Sequence, residues 1–235
     1  MNYPRLKDLL KKVLLRIVPP HRAIPIIRGP LRGKLWFIHS GLGYWWGNYE
    51  PEIRKLLSQS VKRGDVVFDV GAHAGFYTLM SSVLAGASGS VVAFEALPEN
   101  VECIRGHIAL NRVANIKVVP EAVAEESGTG HFERGTNSFT GRLAPGPANV
   151  ETISMDDFIY KNGTIPNVVK IDVEGTEVSV LKGAKKMLAQ HRPIIIAATH
   201  NQKLLDDVLN ILKRNHYTTE LIGKPVGGVI GRPQA

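Results

Sequence analysis

Residues 65–77 read Asp-Val-Val-Phe-Asp-Val-Gly-Ala-His-Ala-Gly-Phe-Tyr, an apolar run followed by two glycines four positions apart. The run is short and rich in β-branched residues, so it predicts a buried strand, and the apolar segment 76–85 predicts a helix. Gly71 and Gly75 therefore lie in the turn between them, where little side-chain bulk lets a ligand approach the backbone N–H groups at the helix start. The spacing is not Gly-x-Gly-x-x-Gly, so it does not indicate a nicotinamide pyrophosphate loop.

From residue 50 onward, strand-like and helical segments alternate along the chain. Apolar strands separated by helices of this length predict an α/β fold, with a parallel sheet covered on both faces. The last two strands are joined by a turn, which predicts one antiparallel member. Residues 121–150 differ, because they are rich in Gly and Ser and show only a weak strand signal near 131–134 and no helix. The predicted strands are 65–70, 90–95, 116–119, 168–172, 194–199, 217–222 and 226–230, and the predicted helices are 50–62, 76–85, 98–111, 176–190 and 203–215.

The composition bounds the class of protein. With 235 residues, 44% of them hydrophobic and 21% charged, the chain can bury a sizeable core, which excludes a disordered or collagen-like protein. Its single cysteine, Cys103, cannot form an internal disulfide, which fits a reducing compartment. No apolar run is long enough to span a bilayer, and none resembles a secretion signal. We therefore expect a cytoplasmic protein.

The net charge of +8 is concentrated at the N-terminus. Residues 1–34 contain nine Lys or Arg and one acid, whereas residues 35–235 carry equal numbers of basic and acidic side chains. We therefore divide the chain into a basic N-terminal arm, 1–34, and a domain, 35–235. Apolar residues recur at helical spacing over 6–17 with lysines between them, so this helix either makes a peripheral contact with an anionic membrane or packs on the domain.

Acidic residues stand near or at the ends of the first two predicted strands. Glu95 ends the second strand, where a carboxylate can accept hydrogen bonds from both hydroxyls of a ribose. Together with the glycine turn, it predicts a nucleoside-containing cofactor. The alternative is a tight turn beside a solvated glutamate, but this leaves Asp69 unexplained, because an acid in a buried strand costs free energy unless it is paired.

The fourth predicted strand carries a second group of ionisable residues. In a strand with period two, Lys170, Asp172 and Glu174 point the same way, and two carboxylates beside a lysine are typical of sites that tune proton affinity. Alternatively, Glu174 caps the following helix with Lys170 as its counter-ion. His200, at the end of the fifth strand, is either a general base or a hydrogen-bonded core residue.

Three ordered segments together resemble the FkbM-type S-adenosylmethionine-dependent methyltransferases. They are DVGAHAGFYT at 69–78, FEALPEN at 94–100 and VKIDVEGTE at 169–177, and the resemblance extends over roughly 40–222. It implies a Rossmann-like class I methyltransferase sheet of seven strands with the last one antiparallel. The sequence pattern adds helices on both faces and an N-terminal helical arm to this expected fold. It also implies methyl transfer from S-adenosylmethionine, usually to a hydroxyl oxygen.

The resemblance assigns residues of this chain to parts of the cofactor. The methionine part would lie against Asp69, Gly71 and Gly75. The ribose would bind Glu95, and the adenine would lie near Ala122. Three further residues complete the predicted cofactor site: Glu50, His73 and Tyr77.

We therefore expect an O-methyltransferase that acts on a hydroxyl of a sugar, a glycoconjugate or a natural product. Asp172 is the predicted proton acceptor or acceptor-orienting group, with Glu174 and His200 as alternates and Lys170 as a charge partner. The aromatic cluster 44–46 either stacks on a sugar or belongs to the core. No ligand set with recognisable spacing predicts a metal.

Three other function classes are less well supported by the sequence. A nucleic-acid (RNA) methyltransferase would need a basic face, and the domain beyond residue 34 is electrically neutral. Base methyltransferases also commonly carry an Asn/Asp-Pro-Pro-aromatic segment where this chain has Asp172-Val-Glu-Gly. The glycine spacing disfavours a nicotinamide oxidoreductase. A non-catalytic module that only binds a nucleoside cofactor would leave Asp172 and Glu174 without a task.

Overall fold

The computed structural model describes residues 19, 22–47, 49–134, 141–146, 148–223 and 227–234. The helix predicted over 6–17 lies outside the described residues, so its contact with a membrane stays a prediction. Within the described part of the chain, no helix is both long and apolar enough to cross a bilayer.

A seven-stranded mixed sheet forms the centre of the molecule. The described strands are β1 (Ala23–Pro25), β2 (Leu35–Phe37), β3 (Val66–Val70), β4 (Ser90–Phe94), β5 (Ile116–Val119), β6 (Ala122–Val123), β7 (Gly128–Arg134), β8 (Gly141–Leu143), β9 (Ala148–Ile153), β10 (Val168–Ile171), β11 (Ile194–Ala197), β12 (Tyr217–Leu221) and β13 (Val229–Pro233). The strands of the central sheet follow the order β12-β13-β11-β10-β3-β4-β5. In this sheet only β13 runs antiparallel to its two neighbours, as predicted for the last strand.

Helices cover both faces of this sheet, so the predicted α/β fold is confirmed. The described helices are α1 (Leu42–Trp45), α2 (Pro51–Ser60), α3 (Phe76–Ala85), α4 (Pro98–Leu110), α5 (Met155–Asn162), α6 (Glu177–Lys182) and α7 (Gln202–Arg214), with a 3-10 turn at Ile38–Ser40 and a π-helical turn at Met187–His191. Alternate strand residues point to opposite faces. Phe68 belongs to a core cluster that contains residues of α5, α6 and α7, whereas Val67 belongs to one that contains residues of α2 and α3.

Two predicted elements differ from the observed ones. The helix predicted over 176–190 ends at Lys182, and a π-helical segment follows at Met187–His191. The chain turns between them at Gly183, which packs so closely that a Cβ there would lie 2.2 Å from the Ala124 carbonyl oxygen. The strand predicted over 226–230 begins at Val229. Gly228 precedes it with φ +140°, and a Cβ there would lie 2.5 Å from the carbonyl oxygen of Ala197.

The region 121–153 contains a second sheet that the sequence does not predict. Its four strands follow the order β6-β9-β7-β8. Glycines obscure the alternation of apolar and polar residues that would mark these strands. They are needed at these positions because the packing leaves no room for a side chain. At Gly141, a Cβ would lie 2.2 Å from the ring of Phe132. The unpredicted helix α5 follows, and the Ser154 hydroxyl caps it by accepting the N–H of Asp157.

A short ribbon of β1 and β2 packs over α3 and α4, and the boundary predicted at residue 34 lies in the connection between these two strands. Trp36 is fully buried and stacks on His107 at 3.9 Å between ring centroids. The His107 ring accepts the N–H of Phe37 at Nε2, and its Nδ1–H donates to the carbonyl oxygen of Ala74. This neutral imidazole therefore ties the ribbon to the turn that follows β3.

The His107 bridge predicts a loss of stability in mild acid. Burial lowers the pKa of His107 from 6.5 to about 4, so its contribution to stability is complete above pH 6.5 and is lost as the pH falls towards 4. His107→Phe keeps the stacking but leaves the Phe37 N–H unpaired, which costs about 1–3 kcal/mol at pH 7.5. Urea unfolding at several pH values checks this. The variant should lose less stability between pH 7 and pH 4 than the natural chain, and equal losses would contradict the role of His107.

Candidate active site

A cleft opens at the carboxyl ends of β3, β4 and β10, the edge at which parallel α/β sheets bind ligands. Eight of the predicted site residues line this cleft, and they include both predicted cofactor-binding residues and residues from the fourth predicted strand. They are Gly71, His73, Tyr77, Glu95, Ala122, Lys170, Asp172 and Glu174.

The turn after β3 requires glycine because it passes very close to the end of β10. Gly71 has φ +74°, and a Cβ there would lie 2.0 Å from the carbonyl oxygen of Asp172. The N–H groups of Gly71 and Ala72 both donate to the carbonyl oxygen of Phe94. Gly75, at the start of α3, packs towards Ile104 and does not line the cleft.

Glu95 is held rigidly at the cleft wall. Its Oε2 accepts the N–H of His73 at 2.8 Å, and its Oε1 accepts the N–H of Leu97 at 2.9 Å. Burial raises the pKa of this carboxyl, while the two N–H groups and a hydrogen bond with the Asn100 side chain act in the opposite direction. A carboxylate has about four acceptor sites, so these three bonds leave room for a further donor from a ligand.

The second sheet supplies an apolar wall to the same cleft. Phe132 and Leu143 line it together with Ala122 and Val123. Of these four, the sequence identified only Ala122, because Phe132 and Leu143 lie in the glycine-rich region where the strand pattern is weak. This wall suits a flat, weakly polar ring.

A buried charge pair forms the floor of the cleft. Lys170 Nζ lies 3.2 Å from Asp69 Oδ1 and 3.7 Å from Asp172 Oδ2, and it donates to the carbonyl oxygen of Gly71 at 3.1 Å. Burial acts to lower the pKa of Lys170, but the two carboxylates outweigh it and raise that pKa. Asp69 also accepts the hydroxyl of Thr78. Asp69 is 1% exposed, so it contacts Lys170 on the side away from the cleft and does not line the cleft itself.

Asp172 continues this line of charges towards His200. Burial acts to raise the pKa of Asp172, but Lys170 and His200 outweigh it and lower that pKa to about 2. The His200 Nε2 lies 3.5 Å from Asp172 Oδ1, and this contact is the main reason that the pKa of His200 rises to about 9. At neutral pH, Asp172 is therefore ionised and His200 is protonated.

A second cavity adjoins the cleft on the other side of Lys170 and Asp172, which line both. The two remaining predicted residues, Glu50 and His200, lie in this second cavity. Glu50 Oε2 accepts the hydroxyl hydrogen of Tyr77 at 2.8 Å, so it is linked to the cleft through that side chain.

Three of the six described non-glycine residues with positive φ border this site. Glu50, His73 and Glu174 have φ values of +39°, +52° and +56°, in the left-handed region that non-glycine residues rarely adopt. Such conformations persist only where the surroundings enforce them, and they are frequent at ligand sites.

Comparisons with known proteins agree with this geometry. The family described as the methyltransferase FkbM domain matches residues 69–219. The hexuronic acid methyltransferase AglP of Haloferax volcanii is 30% identical over 194 residues, which cover 79% of this chain and 77% of AglP.

Solved structures share the fold at low sequence identity. An FkbM methyltransferase from Methylobacillus flagellatus is 16% identical with a TM-score of 0.56, over 97% of this chain and 59% of that one. A precorrin-6y C5,15-methyltransferase from Geobacter metallireducens is 13% identical with a TM-score of 0.53, over 78% of this chain and 88% of that one.

The buried charge pair predicts a large effect of Lys170 on stability. Lys170→Met leaves Asp69 and Asp172 without their cation, so we expect a loss of about 3–5 kcal/mol in the free energy of unfolding at pH 7. Asp69→Asn in the same chain removes one of the uncompensated charges and should restore part of that loss. A double-mutant cycle measured by urea unfolding checks this. If Asp69→Asn destabilises equally in both backgrounds, the two side chains do not act as a pair.

Proposed function

This chain belongs to the FkbM methyltransferase family, and on that premise we propose that it transfers the methyl group of S-adenosylmethionine to a hydroxyl of a hexuronic acid or a related sugar. The observation that carries the proposal is the arrangement of Glu95 and Asp172 in one cleft, which separates a cofactor end from a reacting end. The sugar class is suggested by the similarity to AglP.

The residues of the cleft fit S-adenosylmethionine. The remaining acceptor capacity of Glu95 suits a ribose hydroxyl, and the apolar wall formed by Phe132 and Leu143 suits the adenine. The loop from Gly71 to His73 also lines the cleft, and we assign the methionine part of the cofactor to it. The cofactor supplies a methyl group that its sulfonium already activates, so the protein has to align the acceptor, exclude water and receive a proton.

The second cavity suits the acceptor, because it meets the cleft at Asp172. A hydroxyl oxygen that gains a methyl group becomes positively charged, and its proton is then strongly acidic. A carboxylate with a pKa of about 2 can therefore still accept that proton, and its negative charge stabilises the developing positive charge. Lys170 is a positioning residue, since it holds Asp172 from the buried side.

The lining of the second cavity argues against a nucleic-acid acceptor. Among the described residues of its lining, three carboxylates (Glu50, Glu52 and Asp172) stand against Lys170 and His200, so the cavity has no excess of positive charge with which to bind a phosphate backbone. A sugar hydroxyl, in contrast, finds carboxylate acceptors there.

Two conservative substitutions test the proposed division of labour between cofactor end and reacting end. Glu95→Gln removes a charge-assisted acceptor and should weaken S-adenosylhomocysteine binding at least tenfold, by about 1.5–3 kcal/mol. Asp172→Asn should leave that affinity within a few-fold and lower kcat far more. Calorimetric titration with S-adenosylhomocysteine and initial methylation rates measure the two effects.

The exposed Glu126→Gln is the control for both variants, and thermal unfolding shows that each chain is folded. Unchanged affinity in Glu95→Gln would reject the ribose assignment. An unchanged kcat in Asp172→Asn would move the proton acceptor elsewhere.

A further inference from the structure

We propose that Asp172, Glu174 and His200 form a binding site for a hard divalent cation, Mg²⁺ or Mn²⁺, where the cleft meets the second cavity. Each of the three offers one donor atom, and these atoms lie within 4.8 Å of one another. The sequence does not suggest this group, because the three residues come from the ends of two different strands.

The spacing of the donor atoms fits a shared cation better than direct hydrogen bonds. His200 Nε2 lies 3.5 Å from Asp172 Oδ1 and 3.9 Å from Glu174 Oε2. Ordinary N–H···O hydrogen bonds measure about 2.7–3.2 Å, so both distances are long. Ligands that each lie roughly 2.1–2.4 Å from one hard cation are separated by roughly 3–4.8 Å, and both distances fall in that range.

The backbone fixes these donors and leaves them open to an ion. Asp172 directly follows β10, where its N–H donates to the carbonyl oxygen of Val70. Glu174 is held at φ +56°, an unfavourable conformation that needs a compensating reason. The side chains of Asp172, His200 and Glu174 are 24%, 41% and 54% exposed, so an ion can reach all three from solvent.

A buried carboxylate beside the cluster gives an independent indication. Glu177 is fully buried, and its Oε1 accepts the N–H groups of Val173 and Gly175 and lies 3.7 Å from His200 Nε2. Its Oε2 has no hydrogen-bond partner among the described residues. Buried polar atoms are nearly always satisfied, so this carboxyl group, which adjoins the cluster through Oε1, lacks a partner.

The charges around the cluster also favour a divalent cation. The carboxylates of Asp69, Asp172 and Glu174 lie near two basic side chains, Lys170 and His200, and a cation that binds His200 Nε2 would displace the proton from it. Lys170 is already engaged by Asp69 from below. The described side chains of this group thus carry more negative charge than positive, and an added cation would reduce the imbalance.

The donor set selects the class of metal. Two carboxylates with one imidazole and no thiolate suit Mg²⁺ or Mn²⁺. Coordination positions left open towards the second cavity would take oxygen atoms of the acceptor, and this last point rests on the proposed function. The cation would then offset the repulsion between an anionic hexuronic acid and the carboxylates of Glu50, Glu52 and Asp172 in that cavity.

Titration of the full chain with Mn²⁺ alone, followed by electron paramagnetic resonance of the free ion, tests the site without cofactor or acceptor. We expect one saturable Mn²⁺ per chain, displaced by Mg²⁺. Glu174→Gln and His200→Gln should each raise the dissociation constant at least tenfold. Glu52→Gln removes the same charge from the wall of the second cavity, outside the cluster, and should keep the natural affinity.

Absence of saturable binding at millimolar Mn²⁺ would overturn the proposal. An equal loss of affinity in Glu52→Gln and Glu174→Gln would also overturn it, because it would indicate a diffuse negative potential. Circular dichroism confirms that each variant is folded. S-adenosylhomocysteine binding is measured on the same samples, so that a chain that binds Mn²⁺ but no cofactor would reject the proposed function and leave the cation site standing.

Discussion

The contact of Lys170 with Asp69 and Asp172 is the constraint on which the rest of the site depends. Parallel pairing of β3 with β10 sets Lys170 directly beside Asp69, so a lysine and an aspartate are buried together in the middle of the sheet. Such charges are tolerated only when they are paired and hydrogen-bonded. Lys170 meets this condition by also bonding the Gly71 carbonyl, and this bond fixes the turn that borders the cleft.

Two cavities with different chemistry lie on either side of this charged floor. On one side, Glu95 and the wall containing Phe132 combine a fixed carboxylate with an apolar surface, as a nucleoside needs. On the other side, Glu50 and His200 bring polar groups to a cavity that Ile53 and Ile196 also line. Asp172 lines both cavities, so in the proposed function methyl transfer takes place where they meet.

The sequence predicted the parts of this arrangement that depend on local pattern. Alternating apolar strands and helices determine the seven-stranded sheet, and the period of two within β10 places Lys170 and Asp172 together. The apolar wall was not predictable in this way, because Gly130 and Gly141 replace the side chains that would mark its strands. The convergence of His200 on Glu174 was also hidden, since it arises only when β11 pairs with β10.

Methylation of a sugar hydroxyl can be detected by mass spectrometry of acceptor oligosaccharides that have been incubated with the purified protein and S-adenosylmethionine carrying a ¹³C-labelled methyl group. If the proposed function is right, the label lies on an oligosaccharide ending in a hexuronic acid and is retained after mild alkaline treatment, as an ether is. Label removed by alkali would indicate an ester on the carboxylate. Absence of label on any sugar, in a protein that still binds S-adenosylhomocysteine, would refute methylation of a sugar.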